Sequence, residues 1–311
     1  MKRAVRLVIY SLIVISLVLL VIILFRPNLV ENKEDAKKEL ALPSSHFIKW
    51  RGTELHYTDE GSGYPVLMIH GFGGSLRNFN KMAESLKGQF RVIRVDLPGF
   101  GLTDFPDMGN KPDYIQMYRD YLTFIFDTLH LDSVYVMGNS MGGGVAWIAA
   151  ADHPDKVKKL VLLNSAGYDV ANVSGKLTMF KYKSVGHVFD RGMPLFMSES
   201  GLEKCYADKS KVDPVVWRLN NRFTNRDGNI QNMLALARSH QIPDSAMITK
   251  VQCPTLIVWG KEDAIIPVAH AEKFHRDIKN SRVIIYDPCG HVPMMERSED
   301  LTKDFLQFVK E

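Results

Sequence analysis

The sequence predicts an α/β fold: a mostly parallel sheet with helices on both faces and a largely helical insertion late in the chain. Three observations predict it. Short β-branched runs alternate with helical spacings of apolar residues up to residue 167 and again from Thr255 to the end. One such run, Val66-Leu-Met-Ile, is apolar throughout, as a strand covered on both faces must be. The alternation lapses between Tyr168 and about Ala246, where Met, Phe and Trp are frequent and strand-like runs are few.

Each element follows from local pattern. Phe47-Ile-Lys-Trp and Glu54-Leu-His-Tyr-Thr flank Arg51-Gly52 and read as a hairpin. After Val66-Leu-Met-Ile, strands are expected at Arg91–Val95, Ser133–Met137 and Val157–Leu163. Helices are expected over 78–87, 113–130 and 141–153. In the second of these, Ile115, Tyr118, Leu122, Ile125, Phe126 and Leu129 recur at three and four. The insertion carries expected helices from Pro214 to Arg222 and over 228–240. Strand Thr255–Trp259, a helix over 268–278, strand Arg282–Tyr286 and a helix from about Glu299 complete the series.

The N-terminus has a different character. Leu7 to Phe25 is nineteen residues without a charge, which as a helix spans roughly 28 Å, close to a hydrocarbon core of ~30 Å. It ends at Phe25-Arg-Pro with no small-residue cleavage site, so residues 1–26 read as an uncleaved membrane anchor. Lys2, Arg3 and Arg6 precede the span and Arg26 follows it closely, which places the N-terminus in the cytoplasm and the body on the extracytoplasmic side; Lys33, Lys37 and Lys38 blunt that asymmetry. Residues 27–45, charged and mixed in sign, read as a partly helical tether that lifts the body off the bilayer. Of the 39 Lys and Arg, four lie in residues 1–26, which leaves 35 to balance the 35 acidic residues of the remainder. A neutral body argues against nucleic acid as a partner. Three scattered cysteines (205, 253 and 289) make neither a disulfide framework nor a zinc site, and Cys253 reads as a buried apolar residue.

The chemistry centres on Gly138-Asn-Ser-Met-Gly-Gly-Gly144, which places Ser140 where a strand gives way to a helix. Small residues two positions either side let the chain reverse sharply and push the hydroxyl outward. A serine nucleophile needs a histidine to take its proton and a carboxylate to orient that histidine. Asp263, directly after Leu256-Ile-Val-Trp-Gly, and His291, in Asp287-Pro-Cys-Gly-His, are the acid and histidine expected just past strand ends. An oxyanion needs two backbone N–H groups; Met141, after the serine, and Phe72, in His70-Gly-Phe-Gly-Gly, are the candidates.

These residues, with Asp96-Leu-Pro-Gly-Phe-Gly, Trp259-Gly-Lys-Glu-Asp and Gly290-His-Val-Pro-Met-Met-Glu, make the chain resemble the α/β-hydrolase superfamily over roughly residues 46–311. The resemblance implies a core of residues 46–167 and 246–311, a cap of residues 168–245 covering the site, and a serine-hydrolase mechanism without metal or organic cofactor. Serine at position 140 sets the chain apart from the branches that carry aspartate there. Two branches fit. One is the lipase and monoacylglycerol-lipase-like group, which implies esters with an apolar acyl chain as substrates. The other is the meta-cleavage-product hydrolases, which share Gly-Asn-Ser-Met-Gly-Gly. That C–C branch implies a cap arginine, which Arg222 could supply, and a tryptophan after the histidine, where this chain has Val292. The anchor favours the ester branch; a non-catalytic binding protein on the same fold is a third reading. Phe180, Met193, Leu195, Phe196 and Trp217 are candidate acyl-pocket residues that could equally be cap core.

Overall fold

The structure, a computed structural model, describes Tyr10, Val14 and residues 27–110, 112–170, 189–239 and 241–311. Its strands are β1 (Ser45–Trp50), β2 (Thr53–Glu60), β3 (Tyr64–Ile69), β4 (Phe90–Val95), β5 (Val134–Asn139), β6 (Val157–Leu163), β7 (Thr255–Gly260) and β8 (Ser281–Tyr286). They form one sheet in the order β1-β2-β4-β3-β5-β6-β7-β8 among the described residues. The β1–β2 hairpin turns at Arg51 and Gly52, both with positive φ, and lies antiparallel on β4; from β4 to β8 every pairing is parallel. The expected strands are all present, most of them within a residue or two.

The described helices, in chain order, are α1 (Lys33–Leu40), α2 (Asn80–Leu86), α3 (Tyr114–Thr128), α4 (Met141–Asp152), α5 (Leu195–Glu203), α6 (Pro214–Asn225), α7 (Asn229–Ser239), α8 (Ala269–Asp277), α9 (Pro293–Glu296) and α10 (Ser298–Lys310). Successive residues of a strand face opposite sides, and β3 shows the consequence. Leu67 and Ile69 enter the apolar layer that includes Tyr121 of α3, Trp147 of α4 and Phe274 of α8. Val66 and Met68 enter the opposite layer, with Met82 of α2 and Phe305 of α10. All of these are fully buried, each contributing roughly 1.5–3 kcal/mol by leaving water. Asp113 and Asp213 start α3 and α6 by accepting from the N–H groups of Gln116 and Val215.

The order of strands determines where a site can form. The chain moves from β3 outward to β4, then returns to add β5 on the other side of β3. Loops leaving the carboxyl ends of β3 and β5 therefore diverge and leave a crevice between them.

Residues 27–45, expected as a spacer, are docked on the body instead. Glu31 pairs with Arg226, with Glu31 N–H donating to Asn225 O (2.8 Å) and Asp227 N–H to Glu31 O (2.9 Å), while Leu29 N–H reaches Arg191 O (2.8 Å). Ala36 and Leu40, four apart on α1, pack with Leu102 and Phe223. Charged composition hid a two-residue apolar stripe, and β1 already begins at Ser45. Among the described residues no helix is long and apolar enough to cross a membrane. The run Leu7–Phe25 falls outside them except for Tyr10 and Val14, as does Phe180.

Candidate active site

Ser140 stands between β5 and α4 with φ 55° and ψ −120°, a left-handed conformation for a residue bearing a side chain. Such strain costs of order 1–3 kcal/mol and persists only where the surroundings enforce it. Here they do. Ser140 N–H donates to Leu163 O (2.9 Å), and Ser140 O accepts from Gly144 N (3.0 Å) and Ala166 N (2.9 Å). A side chain at Gly138 would run into the carbonyl of Gly142, and one at Gly142 into that of His70, so glycine is required at both. Met141 is the first residue of α4; its N–H has no partner within the helix and stands at the positive end of the helix dipole.

His291 lies in the loop between β8 and α9. Its Nδ1 is 2.7 Å from Asp263 Oδ2. The Asp263 side chain is fully buried, and its Oδ1 accepts from the N–H groups of Ile265 (2.7 Å) and Ile266 (3.0 Å). Oδ2 also accepts from Asn164 Nδ2 at 2.6 Å. With both oxygens acting as acceptors, the network assigns the imidazole proton to Nδ1 and leaves Nε2 free to accept. The serine and histidine loops are joined directly, because Asn139 Nδ2 donates to His291 O (3.0 Å) and Leu163 O (3.1 Å).

The His70–Gly74 loop passes along the elbow: a Cβ built on Gly71 would sit 3.0 Å from Ser140 Cβ. His70 Nδ1 donates to Gly71 O (2.7 Å), and its Nε2 accepts from Leu97 N–H (3.0 Å). Gly74 N–H reaches the same Gly71 carbonyl (3.1 Å). A planar trans peptide points its N–H opposite its C=O, so Phe72 N–H is turned away from His70. Burial lowers the pKa of His70, against the pull of Asp96, and favours the neutral ring that this bonding pattern needs. Burial acts to raise the Asp96 carboxyl, but His56, hydrogen-bonded to it, and the Leu102 N–H outweigh it and hold the group below its usual value.

The cap candidates separate. Met193 packs with Phe189, Ile230 and Leu234 in a small cap core. Leu195 opens α5 half-buried. Phe196 is 68% exposed on its surface. Trp217 is half-buried against the apolar layer that contains Tyr206 and Val292. Arg222, expected to face substrate, is engaged elsewhere: its Nε and Nη2 grip Glu31 (2.8–3.1 Å) and Nη2 also meets Glu39 at 2.7 Å. Both acids come from the segment read as a tether, and no local pattern signals their proximity to Arg222. Pattern reading also missed Asn164 and Met233. Asn164 is fully buried with φ 45° at the end of β6, a conformation Asn tolerates better than most residues. Met233 of α7 places its Cε 3.7 Å from a Cβ built on Gly73, over the glycine loop.

This arrangement is that of a known family. Residues 64–298 match the model of the alpha/beta hydrolase fold. The chain belongs to that family. Among alpha/beta hydrolases it is 30% identical to Lipase 3 of Moraxella sp. (strain TA144) over 88% of this chain and 86% of the lipase. It is also 30% identical to 2-hydroxy-6-oxo-6-(2'-aminophenyl)hexa-2,4-dienoic acid hydrolase of Metapseudomonas resinovorans, over 85% of this chain and 90% of that enzyme. Among solved structures, a membrane phospholipase A described as a bacterial virulence factor superposes with a TM-score of 0.73 and 26% identity, covering 100% of this chain and 98% of that one. A lipase and a dienoic acid hydrolase thus both occur among its relatives.

Proposed function

We propose that the protein is a membrane-anchored serine hydrolase of carboxylic esters with an apolar acyl chain. The observation that carries this reading is the direct junction of the Ser140 elbow, through Asn139, to a histidine whose Nδ1 is held by the buried Asp263. In the reaction, His291 Nε2 takes the Ser140 proton as Oγ attacks the ester carbonyl, and the Phe72 and Met141 N–H groups receive the oxyanion. The C–O bond then breaks, the alcohol leaves with the proton from His291, and the acyl group remains on Ser140. Water, deprotonated by His291, releases the acid and restores the serine. Leu195 and Trp217 of the cap, with Met233 above the glycine loop, are the apolar side chains assigned to the acyl chain.

Lipase relatives and a membrane phospholipase A of matching length support the ester reading; the uncharged run Leu7–Phe25 supports a single N-terminal anchor, and Lys2, Arg3 and Arg6 before it support a body on the extracytoplasmic side. A C–C hydrolase of ring-fission acids is the second reading, favoured by the dienoic acid hydrolase relative. Against it stand Val292 after the histidine and the engagement of Arg222 by Glu31 and Glu39. The test is labelling of the full chain with a fluorophosphonate probe, followed by turnover of p-nitrophenyl esters of increasing chain length beside a ring-fission acid. Labelling that disappears in Ser140→Ala, with ester turnover exceeding that of the ring-fission acid, is expected. Absence of labelling in folded wild-type protein sinks the serine-hydrolase reading, and the reverse substrate order sinks the ester reading.

A further inference from the structure

The loop that carries His291 is gripped from two sides. Inward, Cys289 N–H donates to Glu262 Oε2 (2.8 Å) and Glu262 N–H donates to Cys289 O (3.0 Å), next to Asp263. Outward, the loop lies on the cap segment Cys205–Asp208, between α5 and α6. His291 N–H donates to Cys205 O at 2.6 Å. Gly290 is in backbone contact with the same segment: a Cβ there would meet the Cys205 carbonyl and would lie 2.8 Å from Ala207 N.

One side chain closes this contact. Glu296, the last residue of α9, is 7% exposed. Its Oε2 accepts from Gly290 N–H (2.7 Å) and Ala207 N–H (3.3 Å), and its Oε1 accepts from Asp208 N–H (2.9 Å). A buried carboxylate is costly unless donors surround it, and among the described residues no salt bridge to Glu296 is formed. Three backbone N–H groups donate to it, one from the histidine loop and two from the cap, and the Cys289 thiol of the histidine loop also faces it. Neither chain segment can shift without leaving part of this charge unsolvated.

We propose that Glu296 is a positioning residue that fixes the His291 loop to the cap segment Cys205–Asp208, so that His291 is aligned only while the cap is seated. The proposal rests on the reading of His291 as the general base. Glu296→Gln keeps the size of the side chain but replaces an acceptor with an NH2 facing N–H donors. Misplacing a catalytic group by about 1 Å costs on the order of 100-fold. Glu296→Gln is therefore expected to lower kcat by about 10- to 100-fold with KM within a factor of about 3. Glu296→Asp keeps both acceptors and the charge on a shorter stem, and is expected to fall between Glu296→Gln and wild type.

The experiment measures kcat and KM of the full chain on a p-nitrophenyl ester, per folded molecule, well below Tm. Alongside, hydrogen exchange is followed at amides 207–208 and 290–291. Phe305→Ala serves as the destabilised control, since Phe305 is fully buried and its ring packs on Phe90 and Tyr135 near the amino ends of β4 and β5, the opposite end of the strands from the site. Loss of kcat with joint loss of protection at both amide pairs, absent in Phe305→Ala, is the expected result. A Glu296→Gln enzyme with kcat within a factor of about 3 of wild type, or reduced no more than Phe305→Ala at equal loss of Tm, overturns the proposal. If Glu296→Gln does not fold, Glu296→Asp is judged against the same control. His291→Ala separates the two claims: its full activity sinks the reading of the base, whereas inactive His291→Ala beside active Glu296→Gln sinks only the positioning role.

Discussion

Among the described residues two Ser–His–Asp clusters stand out, and one of them has no place for a reaction. Beside Ser140, His291 and Asp263 stand Ser45, His56 and Asp96: Ser45 Oγ is 2.6 Å from His56 Nε2, and His56 Nδ1 is 2.6 Å from Asp96 Oδ2. The His–Asp pairs do not separate them: the distances are 2.6 Å and 2.7 Å, and the His56 and Asp96 side chains are as deeply buried as those of His291 and Asp263. The backbone does. Ser45 begins an antiparallel strand of the hairpin, and its hydroxyl also accepts from Leu42 N–H (2.8 Å). Ser140 occupies a strained turn with a helix N-terminus directly behind it and a glycine loop alongside. The hairpin cluster is a tie: Asp96 also accepts from the N–H groups of Leu76 (2.7 Å) and Leu102 (2.8 Å), pinning two loops. On the proposed reading, what the chain does around Ser140 suits it to act as a nucleophile, and side-chain proximity alone does not suffice.

The largest test of this contrast compares the two serines. Ser140→Ala removes the attacking oxygen and is expected to lower kcat by roughly 10⁶-fold. Ser45→Ala removes one neutral hydrogen bond to His56 and one to Leu42, costing about 1 kcal/mol of stability, with kcat per folded molecule unchanged. Turnover of a short ester beside a denaturant melt reads both quantities. A comparable rate loss in Ser45→Ala would erase the distinction.

The two aspartates form the next step. Asp263→Asn leaves the fold in place but cannot hold the Nδ1–H tautomer of His291, and a loss of about 10⁴-fold in kcat is expected. In Asp96→Asn one carboxylate oxygen facing His56 and Leu102 becomes an NH2, and unmatched buried groups of this kind cost about 1–3 kcal/mol each. Its deficit should therefore appear as a lower melting temperature with at most a modest loss of rate. Asp96→Asn as inactive as Asp263→Asn, at temperatures where it is folded, would make the hairpin cluster part of the reaction.

What could be read from the chain divides along the same line. The elbow was legible because its geometry admits only glycine at 138 and 142, and Asp263 and His291 were legible because strand ends are marked by local pattern. Asn164 was not, since its role exists only because β6 lies beside β7 and brings it 2.6 Å from Asp263. The docking of residues 27–45 was hidden for a related reason: Ala36 and Leu40 make a weak stripe whose partners, Leu102 and Phe223, lie far along the chain. Arg222 was a candidate only through the resemblance to the C–C hydrolases, and its partners Glu31 and Glu39 sit in a stretch that reads as solvated charge. Local chemistry was legible; contacts across the sheet and between the N-terminal segment and the cap were not.

The smallest expected effect is in the response of stability to acid. The pKa of His70 lies below its ordinary 6.5 because the ring is buried, so below pH 6.5 the unfolded chain binds a proton that the native state refuses. Stability from this source is complete above pH 6.5 and declines as pH falls towards the folded pKa, by at most about 1.4 kcal/mol per pH unit. His270, also lowered by burial and by Lys273, adds to the same window. Asp96, held below 3.8, keeps its contribution until pH falls below that value. Melting temperatures from pH 8 to 5 should therefore be level down to about 6.5 and then drop. His70→Gln, whose amide can still accept from Leu97 N–H, should be less stable overall but flatter through that window, and His270→Gln measures the other share. Parallel melting profiles for wild type and His70→Gln would show that the neutral ring at the foot of the glycine loop is not what acid disturbs.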